Sequence, residues 1–173
     1  MRKKIIISEN QLFLIKEDYD NNWRKQFNSW KRKNVVYRGY GDIYKLENGG
    51  MGKYGSGLYT TPSKKFAKQY GTVRMLVNAK PLNPKVIRST NEAEIFIYEK
   101  IYSKCIVNGK PSSKEFYENG NTIASEMIAM GFDGLEIKGR EMVNYSPNEA
   151  NIFYADHNSQ LIWYWETYHQ NKD

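Results

Sequence analysis

The stretch from Gly49 to Pro62 constrains this chain more than any other. Five glycines fall between Gly49 and Gly57. Each costs a helix about 1 kcal/mol relative to alanine, so a flexible loop is expected there. Leu58-Tyr59-Thr60-Thr61 follows as a short strand, and Pro62 halts it. Pro62 suits the first position of a helix with Thr61 as its N-cap. Phe66, Ala67 and Tyr70 share a face of that helix, and Gly71 ends it in left-handed geometry.

The segments on either side alternate between periods of 3.6 and 2. Ser8-Glu9-Asn10-Gln11 is a capping box for a helix whose stripe is Ile15, Tyr19, Trp23, Phe27 and Trp30. Asp20-Asn21-Asn22 predicts a break in it, and Lys31-Arg32-Lys33 complements the negative end of its dipole. Val35-Val36-Tyr37-Arg38 is a strand, as is Thr72 to Ala79, which Pro81 and Pro84 stop. Ser89-Thr90-Asn91-Glu92 caps a second helix that groups Ile97, Ile101 and Cys105 with Tyr98 and Tyr102. Residues 108–121 are expected as loop, and Thr122 to Met130 as a helix packing Ile123, Met127 and Met130, ended by Gly131. Leu135-Glu136-Ile137 and Glu141-Met142-Val143 flank Lys138-Gly139-Arg140 as a β-hairpin. Without strict βαβ alternation the class is α+β. One domain is expected over 1–173, with an N-terminal helical segment at 8–33 and a core at about 35–155.

A chain of 173 residues with 40% hydrophobic content is too apolar for disorder and is long enough to form one core. Its single cysteine, Cys105, excludes an internal disulfide framework and a multi-cysteine metal site, and suits a reducing cytoplasm. Arg2, Lys3 and Lys4 precede only three apolar residues, too short a core for a signal peptide. No run approaches the ~20 apolar residues of a membrane span. A soluble cytoplasmic protein without a membrane partner is expected. The net charge of +7 is concentrated: no acidic residue lies between Glu47 and Glu92, an interval holding Lys53, Lys64, Lys65, Lys68, Arg74, Lys80, Lys85 and Arg88. Such a field favours a phosphate-bearing ligand, a nucleic acid or an acidic protein surface. A solvated basic face is the plainer alternative.

Two motifs fail on context. Gly50-Met51-Gly52-Lys53-Tyr54-Gly55 matches the dinucleotide fingerprint G-x-G-x-x-G, but a strand follows it instead of a helix, and no acid lies about 20 positions on. His157 and His169 are remote from any cysteine or acidic cluster that would make a zinc site.

Tyr37-Arg38-Gly39, then Gly55-Ser56-Gly57-Leu58-Tyr59-Thr60-Thr61 with Ala67, Tyr70 and Gly71, then Gly131-Phe132-Asp133-Gly134 and Glu141 follow one another in a fixed order. This order resembles the ADP-ribosyltransferase superfamily over roughly residues 35–150, most of all its small phage and mobile-element transferases. The resemblance implies a fold of two short antiparallel sheets around an NAD cleft with flanking helices. It implies a mono-ADP-ribosyltransferase acting on a macromolecular acceptor, a host protein or a nucleic acid such as tRNA or DNA. NAD is the substrate, and no metal is needed because nicotinamide leaves as a neutral pyridine.

By the same resemblance Arg38 orients NAD, as in the Arg-Ser-Glu branch, and Gly39 admits the nicotinamide amide to the backbone. Either Thr60 or Thr61 supplies the family's strand hydroxyl, and Thr61 is equally well placed as a cap. Tyr59 or Tyr70 holds the nicotinamide. Glu141 stabilises the positive charge that develops on the ribose, with Glu136 and Asp133 as alternatives. Arginine-modifying branches carry a second Glu or Gln where this chain has Gly139, which argues against arginine as the acceptor. An NAD glycohydrolase would use the same residues. A non-catalytic nucleic-acid-binding module on this fold would use the basic face without them.

Overall fold

A computed structural model describes residues 9–41, 51–101 and 120–169. The Ser8 cap, Tyr102, Cys105 and all but the last two residues of the expected 108–121 loop lie outside the described residues. The chain divides into two compact units. One comprises Met1–Asn34 with Ser159–Asp173, and the other Val35–Asn158.

The first unit is built on helix α1 (Glu9–Asn34) and the C-terminal helix α5 (Asn158–Tyr168). Helix α1 runs unbroken through Asp20-Asn21-Asn22, contrary to the expected break. Asp and Asn each weaken a helix by well under about 1 kcal/mol. The aromatic stripe below outweighs that: Trp23, Phe27 and Trp165 form a triangle of rings with centroids 5.6–5.7 Å apart. Leu161 and Trp165 are buried, while Trp163 is 55% exposed. Helical spacing explains the split, since residues four apart share a face and the one midway between them points away.

The second unit holds the sheets. In the first sheet the order is β1-β5-β9, all antiparallel: β1 (Val35–Tyr40), β5 (Thr72–Val77) and β9 (Phe153–Ala155). The second sheet has the order β4-β8-β7-β6, from β4 (Leu58–Thr60), β8 (Glu141–Asn144), β7 (Gly134–Ile137) and β6 (Pro84–Ile87). Its β6–β7 pair is parallel, a departure from the purely antiparallel expectation. A parallel pair needs a long crossover. Helices α3 (Thr90–Lys100) and α4 (Gly120–Ala129) lie in that connection. The architecture is therefore α+β with two antiparallel-rich sheets. A small hairpin, β2 (Met51–Gly52) with β3 (Gly55–Ser56), replaces part of the expected glycine loop.

Strand alternation sorts two cores. Leu135, Ile137 and Val143 pack with Ala93, Ile97 and Ile101 of the α3 segment and with Ile123 and Met127 of α4. On the opposite face Leu58 and Met142 join Val36, Leu76, Ala79 and Ile152 in a second cluster. Among the described residues the sheets are tied at one bridge, where Tyr37 N–H donates to the Thr61 carbonyl at 2.8 Å and Thr61 N–H to that of Tyr37 at 2.9 Å.

Several local expectations hold. Ser89 accepts from Glu92 N–H, and the Glu92 carboxylate accepts from Arg88 N–H, which closes the cap of α3. After α4, Gly131 has φ +88°, and Phe132 N–H donates to the Met127 carbonyl at 2.9 Å. That is the glycine-terminated pattern that satisfies a helix's last carbonyls. Gly139 at φ +75° turns the β7–β8 hairpin.

Candidate functional site

A cleft of about 880 Å³ opens within the second unit. It is bounded by β1, the β2–β3 hairpin, β4, helix α2 (Lys64–Ala67) with its following turn, α3, and the start of β8. Arg38, Gly39, Tyr59, Thr60, Thr61, Tyr70 and Glu141 all line it. Residues far apart in sequence thus meet on one surface. The alternatives do not: Asp133 accepts from the N–H groups of Leu82 and Asn83 at 2.7 and 2.8 Å, fixing that turn, and Glu136 pairs across the sheet with Met142.

Two-residue periodicity explains the meeting of Arg38 and Thr60. Val36 and Leu58 face the inter-sheet core, and Arg38 and Thr60, two residues further on, continue those faces to the cleft. The Arg38 guanidinium lies 5.2 Å from the Tyr40 ring centroid, and that of Arg74, its cross-strand partner, 5.5 Å away. Like charges directly opposite destabilise a sheet. Here the Tyr40 ring faces both cations, and Asp156 pairs with Arg74 at 2.9 Å.

The two threonines differ in kind. The Thr61 hydroxyl donates to the Arg140 carbonyl and accepts from Ser63 N–H at 3.0 Å. The cap of α2 is Ser63, whose hydroxyl accepts from Phe66 N–H at 3.2 Å. The expected Thr61 cap is thus displaced by two residues, because Thr61 is held in the sheet bridge. The Thr60 hydroxyl, by contrast, is buried without a protein partner. That distinction predicts opposite mutant effects. Thr61→Val leaves two groups unpaired and should cost about 1–3 kcal/mol. Thr60→Val should leave stability unchanged or raised in urea unfolding.

Tyr59 and Tyr70 also divide. The Tyr59 hydroxyl donates to the Gly55 carbonyl at 2.7 Å and accepts from Tyr54 N–H at 3.0 Å, so it braces the glycine hairpin. Burial holds its phenol well above the ordinary range. Tyr70 is 55% exposed at the cleft mouth, its ring edge-on to Phe66 at 5.6 Å. The space a Gly39 side chain would occupy is taken by the Ala67 carbonyl, 2.1 Å from the position of a Cβ. Helix packing by itself therefore requires a glycine here, at a position that also lines the cleft.

Glu141 begins β8 on the same face as Val143. Its side chain is 16% exposed, and Arg140 Nε stands 3.6 Å from its Oε1. Burial raises the carboxyl above the ordinary carboxylate value, and the charges of Arg140 and Lys53 pull it part of the way back. Lys53 itself is paired with Glu94 of α3, another residue of the cleft wall. Burial also pushes the neighbouring Tyr54 phenol up to about 12, with Glu141 and Glu94 adding to the shift.

Comparison with models of known protein families, with curated proteins and with solved structures finds no match. The site therefore rests on its own geometry. Lys53, Phe66, Glu94 and Arg140 also line it and escape a reading of the sequence. The sequence places Arg140 in the hairpin turn beside Glu141, Phe66 on the helix face of Tyr70, and Lys53 in the basic interval, but none of them at the site. No group of His, Cys, Asp and Glu suited to a metal ion occurs among the described residues. No helix among them is long and apolar enough to cross a membrane.

Proposed function

We propose that this protein is a mono-ADP-ribosyltransferase with the fold of that superfamily, which transfers ADP-ribose from NAD to a macromolecular acceptor. One observation carries the reading: Arg38 of one sheet and Glu141 of the other line the same cleft, beside the only bridge between those sheets among the described residues. A cationic fork suits the diphosphate of a dinucleotide, and the Thr60 hydroxyl supplies a buried polar group that lacks a protein partner. Glu141 is recessed, so its carboxylate acts with little screening by water. As the bond from nicotinamide nitrogen to ribose C1′ breaks, the electron pair leaves with nicotinamide. Glu141 stabilises the positive charge that develops on the ribose. The acceptor then bonds to C1′ and releases its proton.

Incubation with NAD labelled on the adenosine side and a bacterial lysate tests this. Label should pass to macromolecules, and free nicotinamide should accumulate with it. Nicotinamide without transferred label would identify water as the acceptor and the protein as a glycohydrolase. Absence of both products would sink the reading.

The ionised form of Glu141 is the active one. Activity should therefore fall on acidification with a midpoint above the ordinary glutamate value of about 4.3. Lys53→Met removes a charge that lowers the Glu141 carboxyl, and should move this acidic limb to higher pH. A pH profile of kcat/KM for both proteins checks it; an unmoved limb would exclude Lys53 from tuning the site.

A further inference from the structure

We propose that the basic outer side of the α2 wall, with Tyr70 at the cleft mouth, seats a single-stranded nucleic acid, and that this strand presents the acceptor group. The assignment of an acceptor rests on the transferase reading above; the binding surface itself does not.

Helix α2 and its following turn form one wall of the cleft through Phe66, Ala67, Gln69 and Tyr70. Lys64, Lys65 and Lys68 belong to the same wall and all three are exposed, but none of them lines the cleft: helical spacing turns them to its outer side. The wall is fixed in place, because Ser63 caps the helix and the Ala67 carbonyl fits the gap left by Gly39. Arg140 reaches the same wall from the β7–β8 turn, its guanidinium 5.3 Å from the Phe66 ring centroid. The first turn of α2 holds no acid. Of the cleft's two carboxylates, Glu141 is recessed and Glu94 is paired with Lys53. The outer side of this wall is therefore cationic, and Arg38 and Arg140 bring the same sign to the cleft itself.

Charge alone fits any polyanion, and Tyr70 narrows the choice. Its ring is more than half exposed, follows the lysines in sequence and is supported edge-on by Phe66. Cations that track a backbone, interleaved with an aromatic face open to stacking, suit single-stranded nucleic acid. An acidic protein surface has no use for the ring. The depth of the site argues the same way. The Glu141 side chain is only 16% exposed, so an acceptor atom must enter the cleft to reach it. A nucleotide splayed from a single strand can enter, whereas one stacked in a duplex must first be extruded.

Fluorescence anisotropy with a labelled single-stranded RNA and a DNA of matching sequence, without NAD, tests the surface. Binding should weaken steeply as salt rises. The triple variants Lys64→Gln/Lys65→Gln/Lys68→Gln and Lys64→Glu/Lys65→Glu/Lys68→Glu should each lose at least tenfold, the latter more. Tyr70→Ala should lose about tenfold by removing one stacked base. Circular dichroism confirms that each variant is folded. Preference between the RNA and DNA arms names the nucleic acid. Absence of binding at low salt, unchanged affinity in either triple variant or in Tyr70→Ala, or equal binding of a polyglutamate competitor would overturn the proposal. Oligonucleotide binding without any NAD turnover would leave this surface standing and remove the transferase reading. Turnover without oligonucleotide binding would do the reverse.

Discussion

Glu141→Gln should lower NAD turnover by about two to three orders of magnitude, the scale on which removal of one preorganised electrostatic partner is felt. Gln keeps the size and hydrogen-bonding reach of the side chain but cannot oppose a developing positive charge. NAD affinity should change little, because Arg38 and Thr60 lie on other strands of the cleft wall. Stability supplies a second readout of opposite sign. Burial raises the Glu141 carboxyl in the folded state. Between the ordinary and the raised value the folded chain therefore binds a proton that the unfolded chain has released, and stability falls as pH rises through that window. Glutamine has no such proton. The variant's unfolding midpoint at pH 8 should equal or exceed that of the wild type, and the difference should vanish below the ordinary carboxylate value. A slow variant that is also less stable at pH 8 would mark Glu141 as a structural residue. A variant of undiminished turnover would remove the assignment altogether.

How much of this site was legible in the sequence depended on the range of the interactions involved. The β7–β8 hairpin and the Gly131 terminator are local, specified by a glycine that adopts positive φ and by the apolar residues beside it. The Ser89 cap is equally local. Strands β6 and β9 went unread. Pro84 in the first is a residue that usually stops a strand, and the second spans only three residues, Phe153–Ala155. Both are held by partners distant in sequence, β7 and β5. The different surroundings of Thr60 and Thr61 were illegible for the same reason. Thr61 is used up by Arg140, 79 residues away, and by the Tyr37 bridge. Lys53 and Glu94 became part of the cleft wall only when the hairpin and α3 met. Motif order therefore found side chains that reach the cleft from strands, and missed those that the tertiary fold brings there.

Gly39→Ala should destabilise the protein by about 3 kcal/mol, the upper end of what overpacking costs. The added Cβ would lie 2.1 Å from the Ala67 carbonyl oxygen and 2.8 Å from the Tyr70 Cβ. Neither side can yield cheaply. Strand β1 is locked by its register with β5, where Gly39 faces Val73, and by the Tyr37–Thr61 bridge two residues earlier. Ala67 is buried, and its helix is capped by Ser63. The same seam holds a second glycine: at Gly71, φ is +110°, and a Cβ would meet the Tyr40 carbonyl oxygen at 2.2 Å. Relief must come from moving α2 and its turn outward, which carries Phe66 and Tyr70 out of the cleft wall. Gly139→Ala is the control, since its Cβ would enter open space and only the φ of +75° resists, at about 1–2 kcal/mol. Urea unfolding separates two roles for Gly39. If the glycine makes room for a ligand, Gly39→Ala weakens NAD binding and leaves the midpoint alone. If it makes room for Ala67, the midpoint falls with no ligand present, and Gly39→Ala loses more than Gly139→Ala. A cleft wall that depends on this seam ties the stability of the fold to the shape of the site.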